Sequence, residues 1–252
     1  MEALGLGLFM VSAGLFGTLL EAPLSPVHRA LPDPLVRRAI MGVAMGVTAI
    51  GLVYSPWGRR SGAHINPAVT ATFLRLGRVG RRDAVAYVAA QFLGGAAGVL
   101  VVAAVFGDAF LGPPVGAVAT LPGPLGLATT FGAELAISFA LMSIVLALGR
   151  SARVGRYTGL VVGGLVCLYI MFEAPLSGMS MNPARTLASA IAARNWQGLW
   201  IYFTAPLVGM LLAAEVHVRV VKPGRPSGCA KLLHQFPCIF CGGKRNRASP
   251  TT

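Results

Sequence analysis

Charged residues are scarce in this chain of 252 residues. Asp, Glu, Lys and Arg together make up 12% of it, about half of the roughly 25% that is usual in soluble domains. Hydrophobic residues reach 55%, and the mean hydropathy is +0.71. A disordered chain would be polar and charged, so this composition excludes one. It indicates instead an integral membrane protein with several spans.

Cysteine and acidic residues are scarce as well. Four cysteines are too few for a disulfide framework, and the 32 glycines show no three-residue period that would indicate collagen. Only eight acidic residues stand against 21 Lys and Arg. The basic residues form short clusters without interleaved aromatic residues, so we predict no nucleic-acid partner. Such clusters are typical of the segments that flank membrane spans.

Long apolar runs are abundant. A helix needs about 20 apolar residues to cross about 30 Å of hydrocarbon, and six runs meet or nearly meet this length. They are Ala3–Leu20, Ala39–Gly58, Val85–Gly107, Leu125–Gly149, Tyr157–Phe172 and Asn195–Ala214. The first lacks the basic start of a signal peptide and is interpreted as a span. The predicted fold class is therefore an all-α membrane protein.

The distribution of positive charge predicts the orientation in the membrane. With six spans and both termini on one side, sixteen Lys and Arg residues fall on that side and five on the other. Cytoplasmic segments carry the excess of Lys and Arg. Both termini are therefore predicted to be cytoplasmic.

The chain contains an internal repeat. Residues 61–70 and 177–186 share Ser-Gly, Asn-Pro-Ala and a Thr at the same offsets, and Glu2 and Glu134 stand near the start of the two halves. Each half has three spans, an odd number, so the second half is inverted relative to the first. Inverted repeats place their functional site at the repeat interface near the midplane. The predicted units are repeats 1–107 and 125–221, a Gly- and Pro-rich connecting loop 108–124 and a tail 222–252.

Each Asn-Pro-Ala motif predicts the start of a helix. Asn is a strong N-cap and Pro is favoured at the first helical position. The predicted helices, 66–76 and 182–193, cover about 15 Å, which is half a bilayer. Two such half-helices entering from opposite faces would meet with their N-termini at the centre. The residues that make these starts are Asn66, Pro67 and Ala68, and Asn182, Pro183 and Ala184.

These paired motifs, the Arg185 that follows the second one and the Glu at the head of each half resemble the aquaporin / major intrinsic protein family, in its bacterial type. The resemblance covers about residues 1–221. It implies an aquaporin-like fold of six transmembrane helices plus two re-entrant half-helices. It also implies a passive channel with no enzymatic step and no cofactor, assembled as a homotetramer in the plasma (inner) membrane. Its substrates would be water and small uncharged solutes.

The resemblance also implies roles for pore residues. Asn66 and Asn182 would donate hydrogen bonds to a passing water, and the half-helix N-termini would repel protons and cations. Arg185 would form part of the outer constriction. Further constriction positions fall at Ile170, at Met179 and, in the second span, at Met45 or Gly46.

This ring is apolar and wider than in strict water channels, whereas Thr186, Ala190 and the pair Tyr202-Phe203 resemble those of water channels. Water, glycerol, ammonia and peroxide therefore all remain candidate solutes. A glycerol-type facilitator with water as the secondary solute is the first alternative.

Two kinds of buried polar residue leave alternatives open. Glu2 and Glu134 either hold the loops before the half-helices or carry protons, and the second role would indicate a proton-coupled secondary transporter. His64 is interpreted as a loop-anchoring residue rather than a pH gate.

The tail combines cysteines with apolar and basic residues. Cys229, His234, Cys238 and Cys241 have a spacing compatible with zinc. The alternative is a tail that lies on the membrane, with Leu232 and its apolar neighbours in lipid and free thiols between them.

Overall fold

The computed structural model of the protein describes residues 1–220 and 229–232, and the regular secondary structure of these residues is helical throughout. The six long helices are Glu2–Glu21, Pro34–Tyr54, Arg81–Phe106, Leu127–Leu148, Thr158–Phe172 and Leu199–Val220. All but the fifth are long and apolar enough to cross a membrane, and the fifth is an apolar helix of 15 residues. We refer to the six as the first to sixth spans.

The ends of the spans differ from the predicted apolar runs. The second span begins at Pro34 because the Asp33 carboxylate caps it by accepting from the Leu35 N–H, at 2.7 Å. The third span begins at Arg81 and the sixth continues to Val220. Charged ends of a helix extend beyond the hydrocarbon, so a search for charge-free runs does not detect them.

Two half-helices, Pro67–Arg75 and Pro183–Ala193, follow the Asn-Pro-Ala motifs. Each begins at an asparagine whose side chain caps it, as the motif predicted. Six further short helical segments lie between the spans and half-helices. They are Pro26–Ala30, Pro56–Ser61, Asp108–Leu111, the 3-10 turn Gly116–Val118, Ala152–Gly155 and Ala174–Ser177.

The packing of the helices repeats between the halves. The first span packs against the third, the fourth packs against the sixth, and the second and fifth pack against each other. Each half-helix contacts a span of the opposite half: the first contacts the sixth span and the second contacts the third. This exchange buries the half-helices at the repeat interface.

Glycines allow the spans to approach closely. A Cβ at Gly94 of the third span would lie 2.0 Å from the Ala3 carbonyl oxygen, and one at Gly98 would lie 2.3 Å from that of Gly7. Between the second and fifth spans, which pack against each other, a Cβ at Gly46 would lie 2.6 Å from the Gly163 carbonyl oxygen. Backbone contact of this kind is typical of helix interfaces in membranes.

Candidate pore

The asparagine side chains at the two half-helix starts have a fixed orientation. Asn66 Oδ1 accepts from the Ala68 N–H at 2.8 Å, and Asn182 Oδ1 accepts from Ala184 at 3.1 Å and from Arg185 at 3.2 Å. Since the cap uses the oxygen, the amide nitrogen is the atom that remains for other contacts.

Each amide nitrogen reaches into the opposite half. Asn66 Nδ2 donates to the Met181 carbonyl at 2.6 Å, and Asn182 Nδ2 donates to the Ile65 carbonyl at 2.8 Å. An amide nitrogen has two hydrogens, so one N–H of each asparagine stays available. The two N-termini thus face each other across the repeat interface.

Both asparagines line a cavity of about 360 Å³. One end is lined by Glu21, Pro34 and Arg38, which lie at the end of the first span and the start of the second. Its opposite end is lined by Leu232. The cavity therefore runs past the half-helix N-termini from one side of the molecule toward the other.

A glutamate holds the loop before each half-helix. These loops, 62–66 and 178–182, are called the lead-in loops here. Glu2 accepts from the Ser61 hydroxyl at 2.7 Å, the Ile65 N–H at 2.6 Å and Gln91 Nε2 at 2.8 Å. Glu134 accepts from Ser177 at 3.0 Å and from the N–H groups of Ser180 and Met181 at 2.6 and 2.8 Å. Both oxygens of each carboxylate therefore accept hydrogen bonds. This is the geometry expected if the glutamates hold the loops rather than carry protons.

These bonds also orient the loop carbonyls. In a trans peptide the C=O points opposite to the N–H of the same peptide unit. Since the N–H groups of Ser180 and Met181 point at Glu134, the carbonyls of Met179 and Ser180 point away from it, toward the cavity that these residues line. The wall thus offers acceptors beside the asparagine donors.

The lead-in loops keep this geometry at a conformational cost. Ala63 and Ile65 in the first half, and Met179 and Met181 in the second, have φ of 52°, 40°, 50° and 54°. Left-handed conformations at residues other than glycine cost on the order of 1–3 kcal/mol each and persist where the surroundings impose them. The positions are equivalent in the two halves, so the repeat extends to the backbone conformation.

Arg185 lines the cavity beside the second half-helix. Its Nη1 contacts the hydroxyl of Thr120, a buried residue of the connecting loop, and Thr120 also lies 3.4 Å from the Thr186 hydroxyl. The sequence predicts only a loop at 108–124 and does not indicate this contact. Thr120 carries no motif, so no signal in the sequence could have found it.

The predicted constriction residues are only partly brought together. Met45, Ile170 and Met179 line the same cavity as Arg185. Gly46 instead packs on the Gly163 backbone of the fifth span, so of the two second-span candidates Met45 is the one at the cavity. Of the predicted constriction residues that line the cavity, those other than Arg185 have apolar side chains.

Glu173 is a buried acid that no motif in the sequence indicates. It follows the fifth span and contacts the Ser177 hydroxyl, which also lies 3.0 Å from Glu134. Burial, with a smaller contribution from the nearby Glu134 charge, raises the pKa of Glu173 to about 7. The Ser177 hydroxyl has one proton and can donate to only one of the two carboxylates. A protonated Glu173 can instead donate to the Ser177 oxygen.

His64 is buried and its ring is anchored at both nitrogens. Nδ1 lies 3.1 Å from the Thr70 hydroxyl, and Nε2 lies 2.8 Å from the carbonyl oxygen of Ala230, to which it donates. The ring stacks on Phe73. The contact with the tail was not foreseen.

The zinc prediction for the tail concerns residues mostly outside the described part. His234, Cys238 and Cys241 lie outside the described residues, and of the predicted set Cys229 alone is described. Leu232, expected in lipid under the alternative, is buried against the cavity instead.

Comparison with known proteins decides the family. The family model described as "Major intrinsic protein" matches residues 2–217. The chain belongs to the major intrinsic protein family. It is 38% identical to "Aquaporin NIP6-1" of Arabidopsis thaliana over 176 residues, which cover 69% of this chain and 56% of that protein.

Other similar proteins agree with this membership. "Aquaporin NIP1-2" of Arabidopsis thaliana is 36% identical over 198 residues, 77% of this chain and 67% of the relative. "Aquaporin NIP1-4" of Oryza sativa subsp. japonica is 37% identical over 175 residues, which cover 69% of this chain and 62% of that protein. The chain thus spans only between 56% and 67% of the length of these relatives.

A solved structure has the same fold. The aquaglyceroporin from Plasmodium falciparum superimposes with a TM-score of 0.70 at 22% identity, covering 88% of this chain and 95% of that one. The predicted aquaporin-like membrane fold is confirmed. The chain is therefore an integral, multi-pass membrane protein of the major intrinsic protein family.

Proposed function

We propose that the protein conducts water and small neutral solutes passively through its central cavity and excludes protons and ions. The observation that carries this is the pair of half-helix N-termini facing one cavity, each with an asparagine N–H available to a water oxygen. A water that accepts from two such donors cannot accept from its neighbour in the file. Each helix N-terminus also carries roughly half a positive charge. Together these interrupt proton transfer and repel cations.

The apolar ring bears on the choice of solute. Met45, Ile170 and Met179 present no hydrogen-bonding group from their side chains, so Arg185 and the loop carbonyls provide the polar contacts. We propose water as the main solute, with glycerol, ammonia and peroxide as further solutes. A glycerol-type facilitator with water as the secondary solute is the alternative that the apolar ring favours.

A proton-coupled transporter would require an available carboxyl group at the pathway. The three described bonds to each of Glu2 and Glu134 come from loop or span groups. Their engagement supports the channel, as does the pairing of Glu21, at one end of the cavity, with the Arg37 guanidinium at 3.2 Å.

We also propose that the chain forms a homotetramer in the plasma membrane. Both termini would lie in the cytoplasm, in line with the charge distribution.

Stopped-flow light scattering on proteoliposomes tests the proposal. Vesicles with the protein should shrink faster than bare lipid after an osmotic step, and uptake of glycerol should never exceed equilibration. Concentration of a solute against its gradient would contradict a passive channel. Osmotic and solute fluxes equal to those of bare lipid would remove the assignment altogether.

Arg185→Val is the sharper test of the constriction. It should raise glycerol relative to water flux and increase cation leak about tenfold, which corresponds to about 1.4 kcal/mol of barrier. The control is Arg29→Val, which removes the same charge from an exposed position in the short helix Pro26–Ala30. If both variants keep the parent's selectivity, Arg185 does not form the constriction.

A further inference from the structure

Four tail residues, Cys229–Leu232, lie against the cytoplasmic end of the cavity and are called the mouth segment here. The Leu232 N–H donates to the Gly62 carbonyl at 3.1 Å. Lys231 Nζ donates to the Arg59 carbonyl at 2.7 Å. With the His64 bond to Ala230, these contacts connect the segment to the lead-in loop of the first half-helix.

The residues that receive the mouth segment suit it chemically. The short helix Pro56–Ser61 ends beside it, and a lysine ammonium at a helix C-terminus satisfies a carbonyl that has no partner within the helix. At Gly62, where φ is +99°, a Cβ would lie 2.6 Å from the Ala230 oxygen. Only glycine allows this close approach.

The last three residues of the mouth segment are buried. Ala230 is 0% exposed, Lys231 5% and Leu232 8%. Ala230 and Leu232 belong to the same apolar cluster as Ala63 and Val69, which line the pore below Asn66. The tail therefore continues the core of the channel at its cytoplasmic end.

We propose that the mouth segment is an autoinhibitory plug that closes the cytoplasmic mouth of the pore. Leu232 lines the same cavity as the two asparagines, and its side chain offers no hydrogen bond to replace those that a water loses on passing. The hydrogen bonds described above join the plug to residues 59–64, a single stretch of chain outside the spans, so its release requires no rearrangement of the spans. This inference rests on the proposed function, because a plug has meaning only in a conducting pore.

Two truncations test the plug. Deletion of 229–252 removes the mouth segment, whereas deletion of 233–252 keeps it and is the matched control. In proteoliposomes with equal protein content, Δ229–252 should conduct water about tenfold faster than the full chain, the gain expected when the open state is about one-tenth populated. Δ233–252 should remain at the rate of the full chain.

A single substitution provides a second arm that does not depend on truncated chains folding. Lys231→Ala removes the bond to Arg59 and should raise water flux in the same direction, by a smaller factor. Lys244→Ala makes the same charge change further along the tail and should leave the flux unchanged. Both variants are compared by size-exclusion profile in detergent before reconstitution.

The outcomes separate the plug from the channel. If the full chain conducts as fast as Δ229–252 and Lys231→Ala, the plug is wrong and the channel remains. If Δ233–252 speeds conduction as much as Δ229–252, the closing element is not the mouth segment. If the full chain and all variants conduct neither water nor neutral solutes, the proposed function fails and the plug fails with it.

Discussion

At the scale of single residues, the helix caps decide the polarity of the pore. A side-chain amide offers one acceptor and two donors, and the cap of each half-helix uses the acceptor of Asn66 or Asn182. Only donors are left for the cavity. The sequence predicted this outcome because an N-cap is a local interaction that involves residues two or three apart.

Thr120 is a positioning residue for Arg185. Its hydroxyl is the described hydrogen-bond partner of the guanidinium, and loss of a hydrogen bond to a charged group costs about 1.5–3 kcal/mol. Thr120→Val should release Arg185, lower the water-to-glycerol flux ratio and raise cation leak, as Arg185→Val does. The measurement is the same pair of proteoliposome fluxes.

The control for Thr120 keeps the hydroxyl. Thr120→Ser should retain the parent's selectivity. A valine variant with parental selectivity but a lower melting temperature would show that Thr120 only stabilises the loop.

Glu173 makes stability depend on pH. Its pKa is raised from 4.5 to about 7, so the folded protein binds this proton more tightly than the unfolded chain does. The stabilisation is complete below about pH 4.5 and decreases as pH rises toward about 7, above which it levels off. Glu173→Gln should flatten the pH dependence of the melting temperature in this window. The same slope in parent and variant would assign the pH dependence to other groups.

At the scale of helices, small residues determine how closely the spans pack. Gly163 and Gly164 are adjacent in the fifth span but meet different surroundings. A Cβ at Gly163 would lie 2.5 Å from the Gly46 carbonyl oxygen, whereas one at Gly164 would meet nothing within 4 Å. The two positions form a matched pair in the same helix.

Gly163→Leu should separate the second and fifth spans and lower the melting temperature or prevent folding, since overpacking costs about 1–3 kcal/mol and here the obstacle is backbone. Gly164→Leu should fold like the parent. Fluorescence size-exclusion chromatography with a thermal ramp measures both. Equal stability of the two variants would contradict the close approach at Gly163.

The half-helices were predictable from sequence, whereas their surroundings were not. Asn-Pro-Ala encodes cap and first turn locally, and the repeated glutamates and loops indicated the inverted halves. Thr120 meets Arg185 across 65 residues of chain and Ala230 meets His64 across 166. Neither contact has a periodic or spaced pattern, so only the folded arrangement reveals them. The zinc site of the tail stays a prediction, as do the solute and the subunit number.

At the scale of the whole molecule, inversion brings two equivalent ends together. Each half contributes one half-helix N-terminus, one asparagine and one glutamate-held loop to a shared centre. Neither half alone would have opposed N-termini. We therefore propose that proton exclusion is a property of the pair, and that disturbance of either half has the same consequence.

Asn66→Asp and Asn182→Asp test this equivalence. Aspartate caps a helix as well as asparagine does, so the half-helices should persist while a protonatable, acceptor-bearing group replaces the donor at the centre. Each variant should raise proton leak by about tenfold, or about 1.4 kcal/mol, measured with an internal pH dye under a clamped membrane potential. Asn195→Asp makes the same change where the side chain accepts from the Gln197 N–H, away from the cavity lining, and should stay proton-tight. If the Asn66→Asp and Asn182→Asp variants conduct water and leak no more protons than this control, the paired asparagines are not the cause of proton exclusion.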